Sequence, residues 1–224
     1  MEYRHEWKHR LSYGDFIALR HRLSAVLRHD EHASSDGTYH IRSLYFDTPE
    51  DTALREKIDG ANAREKFRIR IYNGETSMIR LEKKSRRNGL GSKVSACLTQ
   101  VEAQSIVGGE IEWMAGHEEK LVRELYEKMM CRQLRPKTIV DYRREPFVFE
   151  PGNVRVTLDW DIRTGLAGTD FLDKECMTVP IPENVYLLEV KYDEFLPDII
   201  RHLVQVPDRR SEAFSKYAQC RVYG

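Results

Sequence analysis

The chain has 224 residues, 41% of them hydrophobic and 32% charged, which is long enough for one sizeable domain with its own core. Its 36 basic and 36 acidic side chains cancel, which argues against a general nucleic-acid coat, and no apolar run approaches the ~20 residues that a membrane-spanning helix needs. Charged residues from Arg4 to Arg10 break any secretory-signal pattern, and the scattered Cys97, Cys131, Cys176 and Cys220 contain no C-x-x-C, so they read as reduced thiols of a cytoplasmic protein.

In chain order, residues 2–11 alternate Arg4, Glu6, Lys8 and Arg10 against Tyr3, His5, Trp7 and His9, which predicts a strand. Ser12 and Asp15 form a capping-box pattern ahead of a helix to about residue 29. A strand follows over 38–47, and Pro49 opens a short helix to about 57. Strands over 64–73 and 78–85 hinge at Asn73-Gly74, a hairpin signal. A glycine loop leads to a strand over 92–98, a Thr99/Glu102 capping box, and a helix over 117–132. Strands over 137–150 and 153–163 turn at Pro151-Gly152; residues 164–183 read as irregular, 185–193 as a strand. Two helices close the chain, over 195–206 and 211–220, the second with Ser211 as its cap. No repeat, low-complexity stretch or long linker divides residues 1–224, so a single domain is expected. The fold class is α+β: a closed, antiparallel, eight-stranded β-barrel with helices packed outside and at the ends.

The charges are unevenly spread. Residues 64–93 hold ten Lys/Arg and three Glu, so the rest of the chain is acidic by the same amount, which points to a confined anion site. Most strands pair an apolar face with one that mixes cations and a few carboxylates. Lys66, Arg68 and Arg70 oppose Phe67, Ile69 and Ile71; Arg155, Thr157, Asp159 and Asp161 oppose Val154, Val156, Leu158 and Trp160. His40 and Arg42 oppose Tyr39 and Ile41; Glu189 and Lys191 oppose Leu188 and Val190. A half-exposed sheet would simply put such faces in water. The amphipathic helices, however, need apolar surface to cover. If they pack outside the barrel, the charged faces line the lumen, with only Glu6, Glu82, Asp159, Asp161 and Glu189 to offset the cations. The surplus calls for a polyanion, whose phosphate oxygens suit Arg and Lys, and the carboxylates could hold Mg²⁺ or Mn²⁺ beside it. The "GLGSK" of 89–93 does not satisfy a P-loop, and the eight histidines show no metal-ligand spacing.

The ordered set "EWK", "RIR", "LEKK", Lys93, "YRR", "VRVTLD", "LLEVK" and "SKY" resembles the catalytic domain of the vacuolar transporter chaperone (VTC) polyphosphate polymerases, within the CYTH-like triphosphate tunnel metalloenzymes. The resemblance implies a tunnel-shaped barrel that transfers the ATP γ-phosphoryl group to a growing polyphosphate chain with Mn²⁺ or Mg²⁺. It implies that Arg68, Arg70, Lys84, Lys93, Arg144 and Arg155 bind the triphosphate, with Lys8 near the transferred group and Lys216 at a tunnel mouth. Arg42 and Lys191 join the substrate-binding set. Glu189 is the implied metal ligand, with Glu6 and Glu82 as helpers. The partners are ATP and polyphosphate, not nucleic acid, and any membrane partner would be a separate protein. The alternatives are a hydrolase or adenylyl cyclase of the same group, or a non-catalytic polyphosphate-binding module. The hydrolytic branch carries E-x-E-x-K in its first strand; here position 4 is Arg, which favours the polymerase.

Overall fold

Local sequence signals place most of the elements. In the computed structural model, which describes residues 5–31, 33–88, 90–206, 211 and 213–222, the first strand is β1 (His5–Leu11). Positions 2–4 of the expected strand and Gly89 of the glycine loop lie outside the described residues. Ser12 caps α1 (Tyr13–Val26) in a reciprocal capping box with Asp15, and Thr99 does the same with Glu102 for α3 (Gln100–Gly108). The chain leaves α1 early because Arg28–His29 (β2) pairs with the strand β7 (Arg135–Phe149). After β3 (Tyr39–Asp47), helix α2 spans Thr52–Ile58 and starts later than Pro49 suggests. The Asp47 carboxylate accepts from the Ala53 and Leu54 amides (2.8 and 3.1 Å), which fixes the start there. Asn73 and Gly74, both at positive φ (53° and 69°), join β4 (Ala63–Tyr72) to β5 (Glu75–Arg87), a turn that matches strand twist. The remaining elements are β6 (Leu90–Leu98), α4 (Lys120–Arg132), β8 (Val154–Thr164), β9 (Val179–Pro180), β10 (Tyr186–Tyr192), α5 (Asp198–Leu203) and α6 (Lys216–Val222). Both C-terminal helices are shorter than expected. Pro197 sets the start of α5, and Ser215 rather than Ser211 offers its hydroxyl to α6, accepting from Ala218 at 3.4 Å.

Eight antiparallel strands run in the order β1-β10-β8-β7-β3-β4-β5-β6, with β2 and β9 as short additions to β7 and β8. Register shifts in β3, β4 and β7 strengthen the curl. The curl stops short of closure: among the described residues no ladder joins β1 to β6, so the expected closed barrel is an open, curled sheet. Strand number permits closure but does not set tilt and stagger, on which the meeting of the two edges depends. Side chains still reach toward the seam, where Lys84 on β5 meets Glu6 on β1 at 3.4 Å.

The helices cover the convex side, as the amphipathic pattern requires. Phe67, Ile69, Ile79, Leu81 and Ile139 pack against Ala103 and Ile106 of α3 and Leu121, Val122 and Leu125 of α4. Val156, Leu158, Leu188 and Val190 pack against Phe16, Leu19 and Leu23 of α1 and Ile200 of α5. Each such buried Val, Leu, Ile or Phe contributes about 1.5–3 kcal/mol, so the apolar strand faces are committed outward and the charged faces must point inward. A third, smaller cluster lies on the concave side: Tyr39, Ile41, Tyr45, Tyr142, Ile162 and Leu187 meet Tyr217 and Cys220 of α6. Part of the interior is therefore aromatic and apolar, filled by the last helix, which Tyr217 anchors by donating to Asp47 (2.5 Å).

Candidate anion site on the inner face

Cross-strand register sorts the inner side chains into rungs, because residues directly opposite in an antiparallel pair share a face. On one wall Lys66, Lys84 and Lys93 lie abreast on β4, β5 and β6. The next rung holds Tyr45, Arg68, Glu82 and Ser95, and the one after it Ser43, Arg70 and Arg80. On the other wall, Arg155, Lys191 and Glu6 form one rung, Thr157, Glu189 and Lys8 the next, and Arg144 lies opposite Asp159. Lys216 enters from α6 and donates to Asp159 at 2.6 Å. The eleven cations Lys8, Lys66, Arg68, Arg70, Arg80, Lys84, Lys93, Arg144, Arg155, Lys191 and Lys216 thus face four inner carboxylates, Glu6, Glu82, Asp159 and Glu189, plus Asp30, which accepts from Arg155 at 2.5 Å.

The carboxylates are shared among the cations. Glu82, 1% exposed, takes Arg68 at 2.6 Å, Arg70 at 3.8 Å, and Lys93. Asp159, fully buried, takes a fork from Arg144 (2.7 and 2.8 Å) besides Lys216. Glu189 contacts Lys8 at 3.7 Å, Arg144 at 3.9 Å, and Lys191. Burial acts to raise the pKa of each of these three, but their cations outweigh it: Arg68, Arg70 and Lys93 hold Glu82 far below the usual carboxylate range, Arg144 and Lys216 hold Asp159 down, and Lys191 with Lys8 holds Glu189 well down. Burial pushes the Lys84 ammonium down to about 8 despite Glu6.

Two residues expected in the lumen are elsewhere. Arg42 faces the convex side, 7% exposed, with Nε and Nη2 on the Asp141 carboxylate (2.9–3.2 Å) and Nη1 on the Asp173 carbonyl (2.5 Å). On β3 it is Tyr39, Ile41, Ser43 and Tyr45 that turn inward, toward α6 and the β4 arginines, so the polar and apolar faces of this strand are exchanged relative to its neighbours. Asp161 leaves the inner face because it sits at positive φ (49°) in a bulge of β8 and pairs with Arg163 at 3.6 Å. Of the adjacent pair Arg143 and Arg144, Arg144 points inward.

The metal expectation divides as well. Glu6 and Glu189 flank the same two ammonium groups, Lys8 and Lys191, so they are neighbours. Two carboxylates suit a hard divalent ion that draws its other oxygens from phosphates and water. Glu82 shares none of its cations with them. Among the described residues no three acidic, His or Cys side chains gather within reach of one ion.

The sequence reading missed two groups and left a third, Lys66, outside the substrate-binding set. Tyr142 accepts from Arg70 (3.1 Å), and its ring lies under Lys216 (4.5 Å) and Arg144 (5.5 Å). Its place two residues before Arg144, on the same strand face, was the available signal. Lys66 shares the face of Arg68, as its alternation with Phe67 predicts. Tyr45 accepts from Arg68 Nη1 (2.7 Å) and stacks on Tyr217 of α6 (4.9 Å); nothing local in "SLYFD" marks it. Burial acts to raise the Tyr45 phenol, yet Arg68, Lys66 and Arg70 outweigh this and bring it down to about 7. Ultraviolet titration should therefore show one tyrosine ionising about three pH units below free tyrosine. The step should vanish in Tyr45→Phe and move up in Arg68→Ala; a phenol titrating only near 10 would show that the surplus positive charge does not act at that wall.

Comparison with known proteins follows the same lines. No curated protein matches the chain. Among solved structures, a candidate adenylate cyclase of Bacillus halodurans superposes with a TM-score of 0.52 at 16% identity, covering 85% of this chain and 80% of that one. The PH1012 protein of Pyrococcus horikoshii OT3 gives 0.48 at 13% identity, covering 95% and 94%. At such identities the first likeness speaks for the fold alone. The sequence profile of the VTC domain matches residues 3–223, nearly the whole length. The chain therefore belongs to the VTC domain family.

Proposed function

We propose that the protein is a polyphosphate polymerase that moves the γ-phosphoryl group of ATP onto a growing polyphosphate chain, acting in the cytoplasm with residues 1–224 as one catalytic unit. The observation that carries this reading is the inner-face imbalance: eleven cations against five carboxylates, a surplus that only a multiply charged anion offsets. A terminal oxygen of the acceptor chain attacks the γ-phosphorus, the bond to the ADP oxygen breaks, and ADP leaves. Such a transfer asks the protein for alignment and for charge against the equatorial oxygens. Arg68 and Arg70 on one wall and Arg144 and Lys8 on the other would hold donor and acceptor in line, with Lys84, Lys93, Arg155, Lys191 and Lys216 binding the remaining phosphates. Glu189 and Glu6 are the residues that would hold Mn²⁺ or Mg²⁺, which would supply Lewis-acid neutralisation of charge on the leaving oxygen. The aromatic cluster around Tyr45, Tyr142 and Tyr217 walls one side of the site and limits water, favouring transfer over hydrolysis.

A product assay with ATP, Mn²⁺ and a short phosphate primer tests the reading. Long polyphosphate should accumulate with one ADP released per phosphate added. Orthophosphate alone would make the protein a hydrolase, cyclic AMP alone a cyclase, and tight polyphosphate binding without turnover a binding module; each outcome overturns the polymerase. Glu189→Ala should abolish turnover while polyphosphate binding persists.

A further inference from the structure

The helices cover the convex side in two blocks, α3 and α4 over one half of the sheet and α1 and α5 over the other. Over β3, between the blocks, runs the connection 165–178. Phe171 roots it in the first core at 1% exposure, Arg42 holds its Asp173 carbonyl at 2.5 Å, and Arg163 holds its Thr178 carbonyl at 2.6 Å. Where it passes the Asn73-Gly74 hairpin tip it leaves a cavity of about 360 Å³, on the opposite face of the sheet from the inner cations. That volume is at the lower end for small-molecule sites and holds roughly a dozen non-hydrogen atoms at the ~30 Å³ that a water takes in the liquid. One side of the cavity is apolar, made by Ile71, Phe171 and Leu172. The other offers hydrogen-bond donors, from Arg42, Asn73 and Lys174. A guanidinium has five N–H groups. Arg42, 7% exposed, spends its Nε–H and one Nη2–H on Asp141 and one Nη1–H on Asp173, so two are left without a partner among the described residues. Asn73 Oδ1 accepts from the His40 amide at 2.8 Å, which commits the carbonyl end of this side chain and leaves its NH₂ group to donate. Lys174 is exposed and adds an ammonium. No carboxylate lines the cavity among the described residues; that of Asp141 is 1% exposed and already shared by Arg42 and His40.

We propose that this cavity is a second binding site, for a small organic anion: an apolar body of about a dozen atoms against Ile71, Phe171 and Leu172, carrying a carboxylate that accepts from Arg42, Asn73 and Lys174. Buried N–H groups without an acceptor are costly, and an ionised carboxylate is an acceptor only, so it answers this wall and a cation does not. An inorganic anion would leave the apolar side empty. The assignment is independent of the polymerase reading, since none of these side chains lies among the inner cations.

The test is a saturation-transfer NMR titration with 2-naphthoate, the neutral 2-naphthamide and the cation 2-naphthylmethylammonium, without and with excess tripolyphosphate to occupy the inner face. Naphthoate should bind with a Kd on the order of 1 mM, the range open to so few atoms, and tripolyphosphate should leave it in place. The amide should bind at least about tenfold more weakly, and the ammonium not at all. Lys174→Glu and Asn73→Asp should each weaken naphthoate about tenfold, the scale of one charge-assisted hydrogen bond, while Lys174→Arg should bind as wild type. Both positions are exposed, and Asp-Gly suits the same hairpin turn as Asn-Gly, so the variants keep the fold. Displacement by tripolyphosphate would put the naphthoate on the inner face. Equal binding of the three probes would mean apolar adhesion alone. Unchanged affinity in either variant, or no binding to wild type, would mean a solvated notch. Each of these results overturns the second site.

Discussion

Arg70→Ala is expected to lower turnover with ATP by about 10³-fold or more, the scale on which an arginine facing a transferring phosphoryl group acts, and to leave the melting temperature within a few degrees of wild type. Arg70 is 5% exposed, donates to Ser43 at 3.0 Å and Tyr142 at 3.1 Å, and lies 3.8 Å from Glu82. Its removal leaves Glu82 still held by Arg68 and Lys93 and relieves repulsion from Arg68. Arg42→Ala is the contrasting case. Arg42 is nearly as buried, but on the convex side in a fork with Asp141. Its loss leaves the buried Asp141 carboxylate with only His40 at 3.7 Å among its ion-pair partners in the described residues, so about 3–5 kcal/mol of stability should go, while the folded fraction keeps its turnover. Thermal melts with steady-state kinetics on the two variants decide the matter. Unfolding by Arg70→Ala, or loss of turnover per folded molecule in Arg42→Ala, would reverse the assignment of inner and outer faces.

Glu82→Ala should be the most destabilising change on the inner face, by about 3–5 kcal/mol, because Arg68, Arg70 and Lys93 lose their shared counter-charge in a buried setting. Tripolyphosphate should offset much of the loss, by about 2.7 kcal/mol at a hundred times its Kd. The same carboxylate governs acid stability. Its folded pKa is depressed, so its contribution is complete above the unfolded value near 4.5 and is lost as pH falls toward the folded one. Wild type should therefore weaken progressively below about pH 5, and Glu82→Gln should show a flatter pH dependence there. Denaturant melts from pH 7 to 3 measure both. A variant as stable as wild type without added anion would mean that the inner cations do not press on one another.

Much of this architecture is legible in the chain because it depends on short-range rules. The capping boxes at Ser12 and Thr99, the Asn73-Gly74 hinge and the period-two alternation of 64–73 act over a few residues and keep their meaning wherever the segment lies. The inward direction of Arg68, Arg70 and Arg144 follows from a longer inference, that amphipathic helices must cover the apolar strand faces, and that inference holds for every strand on which a helix sits outside. It fails on β3, where α6 lies on the concave side and draws Tyr39, Ile41 and Tyr45 inward, sending Arg42 out. It fails again at Asp161, where one left-handed residue turns the alternation aside.

The sequence by itself determined the strand and helix types, the family, and the concentration of cations between residues 64 and 93, since composition and periodicity are properties of the chain alone. The tertiary structure decided which carboxylate answers which cation, that Glu6 and Glu189 are neighbours while Glu82 stands apart, that Tyr45 and Tyr142 brace the arginines, and that no ladder joins β1 to β6 among the described residues. These depend on contacts between residues far apart in sequence, set by curl, register and the docking of the last helix, and no local pattern encodes them.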